Sequence, residues 1–217
     1  MQAYLALLQR RPAFRSLWLA QVVSMAGDWF NAVATVVLIN RYANSGLAVS
    51  LLFLARYVPP FFAGPLAGVL ADRFDRKAIL IASDLLRAGI VLGFLAVDGP
   101  ERVWLVYLLT TAQFVVSAFF EPARSALVPQ LVPKEDLLVT NTLAGTTYSS
   151  MLVLGAALGG AVAAVFGVGV ALVIDSVSFL VSAALIWRIA APARLAPSAE
   201  SAGRWGELIA GVTVARR

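Results

Sequence analysis

Six long apolar runs set the limits on what this chain can fold into. They cover roughly residues 16–40, 47–71, 78–97, 103–120, 142–166 and 168–189. Crossing roughly 30 Å of hydrocarbon as a helix takes about 20 apolar residues, and every run meets or approaches that length. Barrel strands are about half as long and alternate apolar with polar residues, an alternation these runs lack. A soluble domain would carry about a quarter charged residues, whereas this chain carries 13% and is 60% hydrophobic. The prediction is an all-α polytopic membrane protein with six transmembrane helices.

Lysine and arginine set the expected orientation, because they concentrate in cytoplasmic connections. Arg10, Arg11 and Arg15 precede the first span, and Arg73, Arg76 and Lys77 lie between the second and third. Arg124 and Lys134 lie around the connection from the fourth to the fifth. Arg188, Arg194, Arg204, Arg216 and Arg217 follow the sixth. Thirteen basic residues thus stand on one side against Arg41 and Arg102 on the other. Both termini are expected in the cytoplasm. The opening "MQAYLALLQRRPAF" has its charges after its apolar run, the reverse of a secretory signal. It reads as a juxtamembrane segment near the lipid surface or as a frayed tail. Residues 191–217 read as an Ala/Pro/Ser-rich linker followed by a short amphipathic helix at the cytoplasmic interface.

Several function classes drop out. The chain has no cysteine and no histidine. Disulfides, the usual zinc, haem and iron–sulfur ligand sets and His-based triads go with them. Nothing assembles a nucleophile, a base and an oxyanion site, so neither an enzyme nor a cofactor is expected. The net charge of +5 is spread between the spans instead of gathered in one patch, which argues against nucleic acid.

The stretch "GVLADRFDRKAIL", residues 68–80, packs Asp72, Arg73, Asp75, Arg76 and Lys77 into six positions. Topology alone does not call for two aspartates there. The pattern Gly68-x-Leu70-Ala71-Asp72-Arg73-x-x-Arg76-Lys77-x-x-Leu80 resembles the loop motif between helices two and three of the major facilitator superfamily. Asp75 stands where that motif usually has Gly, the form associated with bacterial drug and siderophore exporters of the macrolide-efflux and enterobactin-exporter type. "LWLAQVVSMAGDWF" resembles the first helix of that subgroup, and "RYVPPFFAGPLAGVLADRFDRK" its second helix and loop. "FFEPARSALVPQLVPKEDLLVTNTL" resembles its connection between helices four and five.

The resemblance implies twelve helices in two halves, of which this chain matches the N-terminal six, built as two three-helix repeats, plus the linker. It implies alternating access around a substrate site near the midplane. Asp72 would sit at the cytoplasmic end of the second helix beside a helix of the other half, as a latch. Arg73, Arg76 and Lys77 would pair with carboxylates or lipid phosphates. Gly155, Gly159 and Gly160 resemble the antiporter motif of helix five, with Ala156 for its usual Pro, and imply tight packing between the halves. The leading expectation is a proton-coupled exporter of hydrophobic drugs or siderophore-like molecules. The alternatives are a lipid-like substrate, an isolated non-transporting bundle, and a half-transporter working as a homodimer. Its partners would be a small hydrophobic or cationic substrate, protons, membrane lipids, and a second half or a second copy of the chain.

Ionisable residues inside spans are costly and call for a reason. Asp28 and Arg56 are placed roughly 18 and 16 Å from the cytoplasmic edge at 1.5 Å per residue, so an ion pair between them is expected. A carboxyl group whose pairing changes between two conformations can take up a proton on one side and release it on the other. Asp28 is the candidate for that role. Asp175 has no evident basic partner and is a second candidate proton or cation site, taken to face the cavity. Asp84 with Arg87, and Glu121 with Arg124, stand three apart and are expected as structural or gating pairs. Pro59 and Pro60 interrupt the helix ladder of the second span, as a gate would require. Trp29, Phe30 and Tyr57 would suit planar apolar cations.

Overall fold

The computed structural model describes residues 2–190; the linker and amphipathic helix expected beyond them lie outside the described residues. A short helix α1 (Gln2–Arg10) leads into six long ones. These are α2 (Pro12–Tyr42), α3 (Gly46–Arg73), α4 (Arg76–Gly93), α5 (Val103–Leu131), α6 (Leu137–Phe166) and α7 (Val168–Trp187). All six long segments are apolar enough to cross a membrane. In lipid every backbone polar group must be satisfied within the protein, and a helix does this within its own segment.

The sequence also dictates where the helices start and turn. Pro12 opens α2, where its missing N–H costs nothing. Asp75 caps α4 by accepting from the Lys77 and Ala78 amides at 2.8 and 3.2 Å. Gly167, at φ +86°, reverses the chain between α6 and α7 in a single residue. Only glycine adopts that angle without strain.

Two boundaries differ from the sequence expectation. The fourth span continues to Leu131, well past residue 120. Pro122 removes one hydrogen bond without ending the helix, and Ala123, Leu127 and Val128 are buried beyond it. Glu121 and Arg124 therefore sit on a helix and not in a loop. The fifth helix likewise begins at Leu137, ahead of residue 142. At the N-terminus, α1 packs back on the bundle through buried Leu7.

The helices pair in a pattern with internal symmetry. The main contacts are α2 with α7, α3 with α5, α4 with α7, α2 with α6 and α4 with α5. Exchanging α2 with α5, α3 with α6 and α4 with α7 turns each of these contacts into another of the set. Because successive helices run in opposite directions, the two three-helix units are inverted relative to each other. By contrast, α2 and α3 follow each other in sequence but hardly touch.

Two apolar cores result. One includes Phe14, Leu17, Leu80, Leu127 and Ile186, at the end that carries residues 72–77. The other includes Leu38, Leu52, Val91, Leu172 and Phe179, toward the opposite end. Between them lies a layer of buried polar and charged residues, among them Ser24, Asn31, Asp84, Arg87, Asp175 and Ser182.

Candidate functional site

The charged stretch at residues 72–77 is largely consumed by helix ends. Asp75 caps α4, as described. Arg76 Nη1 donates to the Ala126 carbonyl of α5 at 3.1 Å, and its Nε to the Ala71 carbonyl at 3.4 Å. Lys77 Nζ donates to the carbonyls of Trp187 and Ile189, both at 2.7 Å, where α7 ends. A cation at a helix C-terminus answers both the orphan carbonyls and the helix dipole. Within this chain the partners of Arg76 and Lys77 are thus backbone oxygens. Asp72 and Arg73 are exposed at the end of α3, one turn beyond Gly68. Glu121 and Arg124 form their expected pair on α5.

The polar layer is built around Arg87. Its guanidinium lies between two aromatic rings, 4.2 Å from the centre of Phe179 and 4.8 Å from that of Phe120. It binds the Asp84 carboxylate one turn back on α4. The second oxygen of Asp84 accepts from Ser182 Oγ of α7 at 2.6 Å. Arg87 Nη1 also stands 3.9 Å from the Asp28 carboxylate of α2. Asp84 is fully buried, whereas the Asp28 side chain keeps 31% of its surface open.

This arrangement corrects the expected Asp28–Arg56 pair. Arg56 lies outside ion-pair distance of Asp28, with its guanidinium 4.7 Å from the centre of the Phe114 ring on α5. Equal depth along two helices does not bring side chains together when the helices diverge, as α2 and α3 do.

Asp175 is corrected too, because it is 0% exposed and faces no open cavity. Its carboxylate lies against the backbone of α2 at Gly27, where an added Cβ would stand 2.6 Å from Oδ1. Neither carboxylate oxygen has a hydrogen-bond partner of standard geometry. The Asn31 side chain, one turn along α2, interacts with it, and the Asn31 amide nitrogen is itself unpaired. Two carboxylates, Asp84 and Asp28, thus pair with one buried guanidinium, and Asp175 lies within its longer electrostatic range.

Sequence reasoning missed Ser182, Asn31 and the two phenylalanines that flank Arg87. The available signal was spacing: Asn31 follows Asp28 by three positions and Gly27 by four, on one helix face.

Comparison with known proteins gives this geometry a family. The transmembrane secretion effector family of major facilitator transporters matches residues 3–206. The chain belongs to that family. Among its relatives, the uncharacterized MFS-type transporter YfiS of Bacillus subtilis is 31% identical over 83% of the chain and 43% of its own length. Macrolide efflux protein A of Streptococcus pyogenes is 34% identical over 57% of the chain and 31% of its own. The putative bacilysin exporter BacE of Bacillus subtilis is 32% identical over 83% of the chain and 45% of its own. The chain spans less than half the length of these relatives. No solved structure matches it. The relatives are transporters and efflux proteins rather than enzymes, and this chain is a multi-pass protein of the cell membrane.

The glycine motif in α6 packs inside this bundle. A Cβ at Gly159 would stand 2.9 Å from the Trp29 carbonyl, and one at Gly155 would collide with the Trp29 ring. These two glycines let α6 close on α2. Gly160 faces open space.

Proposed function

We propose that the chain forms one six-helix half of a proton-coupled exporter of small hydrophobic molecules, working by alternating access with a second six-helix unit. The observation that carries this reading is the division of Arg87 between two carboxylates. Asp84 holds it from a fully buried position, and Asp28, the partly exposed one, reaches it only at 3.9 Å. A proton arriving at Asp28 would cancel that weaker pairing and leave the Arg87–Asp84 pair intact. Loss of the proton would restore the pull between α2 and α4. A carboxylate with this pair of states can link proton movement to helix movement.

The exposure of the helices supports a second unit. The apolar windows of α3 and α6 are each only 11% buried, against 50% for α7. These two helices are exchanged by the internal symmetry, so the bundle offers two equivalent open faces. Gly64 and Gly68 on α3 and Gly160 on α6 have open space where a Cβ would lie, which permits close helix approach. In this reading the end carrying residues 72–77 faces the cytoplasm. Asp72 would meet the second unit there.

The test uses the full-length protein in proteoliposomes with an imposed pH gradient and the uncharged dye N-phenyl-1-naphthylamine as the transported molecule. Asp28→Asn is expected to fold, bind dye and lose all gradient-driven transport. Unchanged gradient-driven transport by Asp28→Asn would falsify the coupling role.

A further inference from the structure

Where α2 and α3 diverge they leave a cleft of about 320 Å³. Its walls include Trp29, Val33 and Val36 of α2 and Leu52, Phe53 and Arg56 of α3. Small-molecule sites run from about 300 to 1,000 Å³ and are mostly apolar with a few fixed polar groups. This cleft meets that description. From Trp29 to Val36 it extends about 10 Å away from the polar layer, at 1.5 Å per residue.

Among the described residues on these walls, Arg56 alone is charged. A guanidinium has five N–H donors and keeps its charge at any accessible pH. Among the described residues Arg56 makes neither a hydrogen bond nor a close ion pair; its guanidinium lies over the Phe114 ring and feels Asp28 and Asp175 only at longer electrostatic range. An aromatic face offsets part of the charge but supplies no oxygen to the donors. Asp28 does not fill the gap, because its ion pair is with Arg87. A cation held at membrane depth without an acceptor is costly, and such residues mark substrate paths. One turn on, Pro59 and Pro60 have no N–H to return to the carbonyls of Ala55 and Arg56. The same stretch of α3 therefore also offers acceptors.

We propose that this cleft binds a small amphiphilic anion, with its apolar body between α2 and α3 and its carboxylate or sulfonate on Arg56. The assignment rests on the exporter reading above and names the substrate class for it. It reverses the expectation of a planar cation drawn from the aromatic residues, because Arg56 stands among them and repels positive charge. A planar body still fits: Phe53 and Tyr57 are stacked with their rings 4° from parallel. Trp29 forms the facing wall and is itself held from behind by Gly155 and Gly159.

Two dyes sharing one ring skeleton test the proposal: 8-anilinonaphthalene-1-sulfonate and its uncharged counterpart N-phenyl-1-naphthylamine. Binding of each to the full-length protein is measured in phosphatidylcholine nanodiscs, with empty discs subtracted. Wild type is expected to hold the sulfonate about tenfold more tightly, as a charge-assisted contact would. Arg56→Gln should erase that preference while keeping the neutral dye, and Arg56→Lys should keep part of it. Val36→Trp, which fills the cleft, should lose both dyes.

Equal binding of the two dyes by wild type overturns the proposal, as does a preference that survives Arg56→Gln. Unchanged binding of both dyes in Val36→Trp overturns it as well. If Arg56→Gln loses both dyes, Arg56→Lys decides: a retained preference supports the proposal and equal binding sinks it. Should phosphatidylglycerol discs abolish sulfonate binding, the occupant is a lipid headgroup and the small-anion assignment fails. Failure of the exporter reading shows separately, as normal dye binding without gradient-driven transport.

Discussion

Two regions of this molecule concentrate charge, and they use it in opposite ways. At residues 75–77, Asp75, Arg76 and Lys77 all end on backbone groups, those of Asp75 and Lys77 at the ends of helices. In the polar layer and the cleft beside it, Asp28, Asp175 and Arg56 are left with long, missing or aromatic partners. The first region is dense and satisfied, and the second is sparse and unsatisfied. Unsatisfied groups can gain from a proton, a substrate or a movement, whereas satisfied ones can only lose. Incomplete pairing is therefore the better guide to function than charge density.

That contrast can be broken from either side. The largest effect is expected at Arg87, which Arg87→Met would remove from between Asp84 and Asp28. Leaving a buried charge without its partner costs about 3–5 kcal/mol. Thermal melting of the full-length protein in nanodiscs should show a large drop or no folded protein. An unchanged melting temperature would mean that the polar layer is not held together by this residue. Lys77→Gln is expected to cost less, about 1 kcal/mol, because a cation at a helix C-terminus contributes on that scale. Its melting point should fall modestly while dye transport stays intact. A transport defect without loss of stability would move Lys77 from the structural region into the functional one. Asp98→Asn breaks the exposed Asp98–Arg102 pair, 3.0 Å apart at the other end of the bundle. Surface pairs are worth about 0–1 kcal/mol, so its melt should overlay wild type.

Much of the fold was legible because lipid leaves few options. Six apolar runs and the rule that backbone groups be satisfied give six helices almost directly. Pairs within one helix were legible for a similar reason: three residues of spacing places Asp84 beside Arg87 and Glu121 beside Arg124 whatever the tertiary structure. Contacts between helices were not. Counting residues along α2 and α3 gives depth in the membrane, but it says nothing about rotation or neighbours. Asp28 and Arg56 were matched by depth, yet Arg87 reaches Asp28 from α4, a helix two places along the chain. Asp175 shows the same limit. Its burial depends on Gly27, a residue on a different helix with no side chain to signal the contact.

The hold of α6 on Trp29 has a mechanical consequence. Trp29 is fixed from one side by Gly155 and Gly159 and forms a wall of the cleft on the other. With α3, α6 is the span with least of its surface anchored within the bundle. The width of the cleft is thus tied to the tilt of a lightly tethered helix. Any tilting of α6 acts on the cleft like a finger on the slide of a caliper, so that the opening of the bundle and the grip on its contents change in a single stroke.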